Sequence, residues 1–249
     1  MMQTVVDYYN QYDEDTRLSI RHQTEFWVTT YFLDSIIKCK DSILDVAAGT
    51  GIYSFYYAQR GCRVEALDIV PKHIDILKAK SSRGLNIEAM VGDARDLKKY
   101  SPESFNIVLN MGAIYHIEEK EIPGCINECL RVLKPGGYLA LTYLNKYKGF
   151  ETELKKYGNL FKFYSPFEIE QYFRSQKESI VLHSPTDADF FADFEKHFLQ
   201  AKNVKNSSFQ INELRIEDYH FWLEENLVLP DIQLINEKFI HALLVVKKI

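Results

Sequence analysis

Several things are scarce in this chain. Cysteine occurs only at Cys39, Cys62, Cys125 and Cys129, too few for a disulfide scaffold, and no His or Cys partner stands at zinc spacing. The thiols read as small buried side chains, and no metal is expected. Proline occurs 7 times and glycine 11 times in 249 residues, and neither a low-complexity linker nor a repeat interrupts them. No stretch approaches the roughly 18–20 apolar residues that span a bilayer. No Lys or Arg precedes Arg17, so the first residues read as neither a secretory signal nor an Arg-rich transit peptide, and the expected address is the cytoplasm. Positive charge is also short: 30 Lys and Arg face 35 Asp and Glu, a net charge of −5. Nothing in that balance pulls toward phosphate backbones or anionic lipid, so neither nucleic acid nor a membrane is expected as a partner.

Apolar and aromatic residues are plentiful. Hydrophobic residues make up 46% of the chain and aromatics 14%, with 16 Tyr and 16 Phe. That is enough for one sizeable core, with rings to spare for a pocket. The first 40 residues read as helical, with Trp27, Val28, Tyr31, Phe32 and Ile36 forming an apolar stripe. From residue 43 the rhythm changes. Strands are expected at Ser42–Ala47, Arg63–Asp68, Asn86–Val91, Phe105–Asn110 and Tyr138–Leu144, with helices at Ile52–Arg60, Pro71–Lys80 and Ile122–Leu133. Lys134-Pro135-Gly136-Gly137 reads as a turn between the last helix and strand. Such alternation argues for a parallel sheet covered on both faces. Further on, Ser165–Arg174 opens like a capped helix, Ile180–His183 reads as a short strand, Asp187–Ala201 and Ile211–Glu225 as helices, and Ala242–Lys247 as a closing strand. The organisation expected is a helical lid over residues 1–40 and one domain over 41–249, with a largely helical insert at about 145–226.

Three strand ends carry candidate chemistry. Asp45 through Gly49 and Gly51 is a glycine turn after an apolar strand, which lets a ligand approach backbone N–H groups at a helix start. A dinucleotide site would place a third Gly three residues after Gly51, where Ser54 stands. Asp68 ends the second strand, where a carboxylate can accept from ribose hydroxyls. Gly92-Asp93-Ala94 follows the third, where an acid can accept from an adenine amino group and a small side chain leaves room for a flat ring. Each is weak alone. In series, they lie at the edge where open α/β sheets bind ligands.

At this point the chain resembles a class I S-adenosylmethionine-dependent methyltransferase. The matching blocks are ILDVAAGTG (43–51), LDIVP (67–71), GDARDL (92–97), FNIVLNMGAIYHI (105–117) and RVLKPGGYL (131–139). The N-terminal YYNQYDEDTRL (8–18) with Glu25, and MGAIYHI (111–117), are similar to bacterial small-molecule enzymes of the ubiquinone-biosynthesis kind, with Ala113 where those carry Pro. The resemblance implies a Rossmann-like, seven-stranded, mostly parallel sheet with helices on both faces and an antiparallel last strand. It implies S-adenosylmethionine as methyl donor and S-adenosylhomocysteine as product. The glycine turn with Gly49 and Gly51 would hold the methionine part, Asp68 the ribose, and Asp93 with Ala94 the adenine, with Ala47, Ile69 and Asn110 as further cofactor-binding residues.

His116 and Tyr115 are the residues expected near the reacting methyl. His116 is the candidate general base, and Tyr115 would orient the acceptor. Much of the rate of an in-line methyl displacement can come from alignment, so a base is not required. Arg17 is a candidate clamp for the methionine carboxylate, or else a partner of Asp13, Glu14 or Glu25. Asp45 would receive the amino group or brace the turn, and Tyr8, Tyr9 and Tyr12 could close over the site. Residues 151–226 hold 14 acidic and 9 basic side chains, and 145–226 hold 17 of the 34 aromatics, among them Phe190, Phe191, Phe194, Phe198, Tyr219, Phe221 and Trp222. An acidic, ring-rich substrate side argues for a small acceptor and against RNA or DNA. The expected reaction is methylation of an O, N or S atom of a small molecule. The alternatives are an RNA or protein methyltransferase and a non-catalytic module that binds the same donor.

Overall fold

The computed structural model describes residues 2–17, 23–81, 84–146, 158, 160–174, 178–186, 220, 223–224 and 239–249. The helices are α1 (Met2–Gln11), α2 (Gln23–Asp34), α3 (Ile52–Gln59), α4 (Pro71–Lys80), α5 (Ile122–Val132) and α6 (Pro166–Arg174). The strands are β1 (Ser42–Asp45), β2 (Arg63–Asp68), β3 (Ile87–Val91), β4 (Phe105–Met111), β5 (Leu133–Asn145), β6 (Phe163–Tyr164), β7 (Ser179–Pro185) and β8 (His241–Lys247). They form one sheet in the order β3-β2-β1-β4-β5-β8-β7, with β6 paired to the end of β5 beside that path. β8 runs antiparallel to both neighbours, and every other pairing is parallel. The expected seven strands are present, with the last antiparallel, and the two-residue β6 is an addition. The helices expected over 187–201 and 211–225, and nearly all the rings singled out in the insert, lie outside the described residues.

Alternate residues of the central strands serve the two faces of the sheet, as the pleat requires. On one face Leu44, Val108, Leu139, Leu141, Leu244 and Val246 pack against α5 and α6. On the other Ile43, Ile107, Leu109, Ala140, Leu243 and Val245 pack against α2 and α3. Helix α5 is matched to its role: Ile122, Cys125, Ile126, Cys129 and Leu130 are all buried and recur at the helical period. With Cys62, three of the four thiols are core residues, whereas Cys39, expected to be buried too, is exposed. Helix α4 starts with Pro71 in its first turn. Helix α6 starts with a capping box: the Ser165 N–H donates to Glu168 Oε2 at 2.7 Å, and the Glu168 N–H donates to Ser165 Oγ at 3.3 Å.

One local expectation fails. Lys134–Gly137 does not separate α5 from β5 but belongs to β5, as an excursion within the pairing. Phe105 pairs with Leu133 and Ile107 with Tyr138, so two steps of β4 face five of β5. Lys248, just after β8, holds this excursion in place: Gly136 N–H donates to Lys248 O and Lys248 N–H to Gly137 O. A breaker read by composition is absorbed when a neighbouring strand satisfies its backbone.

Candidate active site

The sheet order reverses at β1, which has β2 on one side and β4 on the other. Open α/β sheets bind ligands beyond the strand ends at such a point. A cavity of about 670 Å³, mouth included, lies there. Ala47 and Gly49 from the turn after β1, Asp68 and Ile69 from the end of β2, and Asp93 and Ala94 from the turn after β3 all line it. Arg17, Tyr115 and His116 close its far side. Three expected residues stand behind that wall. Asp45 is 1% exposed and accepts from Ser54 Oγ at 2.8 Å. Asn110 faces α5, with Nδ2 3.7 Å from Cys125 Sγ. Gly51 has φ +95°, and a Cβ there would stand 2.8 Å from Leu77 Cγ. Its absence of a side chain serves the left-handed turn and the approach of α4, where sequence reading had assigned it to the ligand.

Asp68 organises the turn. Its Oδ2 accepts from the Gly49 N–H at 2.8 Å, and its Oδ1 accepts from the Val70 N–H at 2.8 Å, with His73 Nδ1 at 3.2 Å. One carboxylate so ties the end of β2 to the glycine turn after β1. Asp93 is gripped by Arg95 through Nε at 3.0 Å and Nη2 at 2.7 Å, and Arg95 also reaches Glu121 at 2.8 Å. Burial alone would raise the Asp93 carboxyl, but the Arg95 hydrogen bonds outweigh it and hold the group below its usual range. Asp45 lacks such a cation. Burial pushes it up to about 7, against the opposing bond from Ser54.

His116 sits in the 3-10 turn Ile114–His116, after β4. Its Nδ1 is 3.0 Å from the Leu160 carbonyl, which can only accept, so Nδ1 carries the proton. Its Nε2, 3.0 Å from the Tyr9 hydroxyl, then accepts from that O–H. Both nitrogens are engaged, and burial pushes the imidazole down to about 4. Burial also raises Tyr9 and Tyr115 above the ordinary phenol range. Tyr115 is fixed from below by Gly112 (φ +113°), where a Cβ would stand 2.6 Å from the Tyr115 hydroxyl.

Arg17 is held between two carboxylates, with Nε 2.8 Å from Glu14 Oε1 and Nη1 3.2 Å from Glu25 Oε2. Both readings of this arginine therefore meet: it is paired, and it still faces the cavity. Sequence reading missed two wall residues, Glu14 as a site group in its own right and His73. Each carries a buried atom with no hydrogen-bond partner among the described residues, Glu14 Oε2 and His73 Nε2. No sequence signal marks them, because neither stands at a strand end.

A second cavity of about 730 Å³, mouth included, adjoins the first. Tyr9, Glu14, Arg17 and Tyr115 line both. Its remaining walls are mainly apolar and aromatic: Tyr8 and Tyr12 from the N-terminal segment, Leu144 at the end of β5, Phe161, Phe163, Ile240 and His241. Tyr8 stacks on Tyr12 with centroids 5.4 Å apart, and meets Phe161 edge-on at 5.7 Å.

Residues 43–137 match the methyltransferase domain family. A ubiquinone biosynthesis O-methyltransferase of Xanthomonas euvesicatoria is 32% identical over 105 residues, 42% of this chain and 43% of that protein. The match thus spans less than half the length of this curated relative. Among solved structures, the PH0226 protein of Pyrococcus horikoshii superposes with TM-score 0.63 at 18% identity, covering 98% of this chain and 99% of that one. The geranyl diphosphate C-methyltransferase of Streptomyces coelicolor, solved with S-adenosyl-L-homocysteine, superposes with TM-score 0.60 at 13% identity, covering 91% of this chain and 77% of that one. The glycine turn and the two strand-end acids already described lie within this matched stretch, and the strand order accompanies it.

Proposed function

We propose that the protein is an enzyme that moves a methyl group from S-adenosylmethionine to a small molecule. The observation that carries this reading is the pair of adjoining cavities with a shared wall of Tyr9, Glu14, Arg17 and Tyr115. The first has the chemistry of a nucleoside and amino-acid ligand. Asp68 offers carboxylate oxygens at the end of β2 for ribose hydroxyls, and Ile69 and Ala94 leave flat apolar surface for adenine, with Asp93 at its edge. The unpartnered acceptor His73 Nε2 fits a ligand hydroxyl or amine. Arg17 offers a guanidinium to the methionine carboxylate beside the Gly49 turn. When bound, S-adenosylmethionine supplies an electrophilic methyl on a sulfonium.

The second cavity is then the acceptor site, small and ring-lined. His116 and Tyr9 act as positioning residues: their hydrogen bond ties α1 to the turn after β4, which fits a lid role for the N-terminal segment. The net negative charge and the acidic stretch 151–226 favour a small acceptor over a nucleic acid. No helix among the described residues is long and apolar enough to cross a membrane, and a cytoplasmic enzyme is the reading consistent with the composition.

Calorimetry with S-adenosylhomocysteine tests the reading directly. Saturable one-to-one binding is expected, with no response to NAD. Tight NAD binding with none of S-adenosylhomocysteine would overturn it. A screen of small-molecule pools with labelled methyl donor then identifies the acceptor.

A further inference from the structure

We propose that the acceptor is a small amine, methylated on nitrogen in the second cavity, where the open oxygen of Glu14 and the rings of Tyr8, Tyr12, Tyr115 and Phe161 receive the positive charge. The inference rests on the methyl-transfer reading and goes beyond it by naming the nucleophile.

Two independent observations point the same way. First, His116, Tyr9 and Tyr115 are poorly suited to remove a proton at neutral pH. Phenol and hydroxyl acceptors must lose theirs as they are methylated. The His116 nitrogens are committed to the Leu160 carbonyl and the Tyr9 hydroxyl, and its burial makes it a poor proton acceptor. Tyr9 and Tyr115 hold their own protons. An amine that gives up its ammonium proton to water before it attacks needs no such group. Its nitrogen lone pair forms the new bond to the methyl carbon, the carbon–sulfur pair stays on sulfur, and the positive charge passes from sulfur to nitrogen. A tertiary amine ends as a quaternary cation, and a primary or secondary one sheds its proton to water afterwards.

Second, the cavity is built for a cation. Glu14 Oε1 is held by Arg17, while Oε2 is buried with no hydrogen-bond partner among the described residues, on a side chain that lines both cavities. Two carboxylates, Glu14 and Glu25, face the one guanidinium, and His241 Nδ1 lies 3.7 Å from Glu25. An unpaired buried carboxylate oxygen is costly until a donor or a cation meets it. Around it stand aromatic rings, whose faces attract quaternary ammonium groups. Every one of these side chains except Tyr115 lies outside residues 43–137, so the match to the methyltransferase domain does not cover the acceptor wall.

Choline, whose trimethylammonium stands for a methylated product, and its neutral isostere 3,3-dimethylbutan-1-ol are titrated into the full chain saturated with S-adenosylhomocysteine. The expected result is at least a tenfold preference for choline, on the order of the cation–π gain. Glu14→Gln keeps an oxygen for Arg17 and removes the charge. It should cut that preference at least fivefold, and Phe161→Leu should lower it as well. Equal binding of the two probes, or no binding of choline, overturns the proposal. Glu14 also borders the first cavity, so Glu14→Gln is compared on S-adenosylhomocysteine and on 5′-methylthioadenosine, which lacks the amino-acid part. A loss confined to S-adenosylhomocysteine assigns Glu14 to the methionine ammonium and overturns the acceptor role. With labelled donor, benzylamine and N-methylbenzylamine should be labelled faster than benzyl alcohol and phenol, and label in the oxygen acceptors alone would overturn it too. Failure of the wild-type chain to bind S-adenosylhomocysteine defeats the methyl-transfer reading itself and is seen before any acceptor is added.

Discussion

The two cavities share a wall, yet they are built in different ways. The first is made where consecutive βα units end: the turns after β1, β2, β3 and β4 each contribute backbone and a short side chain. The second is made by long side chains that converge from the N-terminal segment, the end of β5, the residues before β6, and the start of β8. The first has largely apolar walls and carries strand-end acids whose partners are fixed by neighbours. The second is mostly apolar rings around one open carboxylate oxygen. A site formed by local turns can be held by many lineages of this fold, whereas a site formed by distant side chains is free to differ from one protein to the next.

The sharpest way to break this comparison is at Asp68. Asp68→Ala removes the acceptor for the Gly49 and Val70 N–H groups as well as the ribose partner. We expect S-adenosylhomocysteine affinity to fall by on the order of a hundredfold in calorimetry, as for loss of charge-assisted hydrogen bonds at a buried site. Near wild-type affinity would show that the first cavity is not organised by this carboxylate.

Acid sensitivity comes next. His116 takes its proton at about 4 when folded, against 6.5 for the free side chain. The unfolded chain therefore binds more protons as pH falls below 6.5, and the folded state loses stability until the folded pKa is passed. Between pH 6.5 and pH 5 this amounts to about 2 kcal/mol. In urea unfolding, His116→Gln should shrink the difference between those two pH values by about that amount. Asp45, raised from 3.8 to about 7, acts with the opposite sign: its contribution is present in acid and is lost as pH rises toward 7. It is present in both proteins and cancels from the comparison. An unchanged pH slope would mean that His116 is not the neutral, buried group the geometry indicates.

Within the second cavity, Phe161→Ala opens a wall that touches Tyr8, Tyr115 and His116. The KM of the acceptor found in the labelled-methyl screen should rise about tenfold, while S-adenosylhomocysteine affinity stays within about twofold. A loss shared equally by both ligands would dissolve the distinction between the cavities. The smallest effect is expected at Tyr9→Phe, which frees His116 Nε2. If no base is used, kcat should change by less than about threefold; loss of a proton relay would cost about a hundredfold or more. Steady-state kinetics with the same acceptor separates the two.

The ease with which each cavity is read in sequence follows from the same difference. The limits of β2 and α4 and the capped start of α6 agree with the expected ones because each depends on neighbouring residues: strand alternation into Asp68, Pro71 at a helix start, and Ser165 with Glu168. The pairing of Tyr9 with His116 spans 107 residues, and no spacing rule reports it. The same holds for Glu14, whose open oxygen has meaning only beside Arg17 and Phe161's cavity. Gly51 was legible as a turn glycine, but its neighbour Leu77 was not, so its packing role against α4 appeared only in three dimensions.

Local chemistry in the sequence thus determined the alternation of strands and helices, the glycine turn, and the acids at the ends of β2 and β3, because turns and caps are satisfied within a few residues. The tertiary structure decided which carboxylate remains open, which histidine nitrogen carries the proton, and where the rings enclose space. Those depend on burial and on contacts between segments far apart in the chain, and burial sets the cost of every unpaired charge.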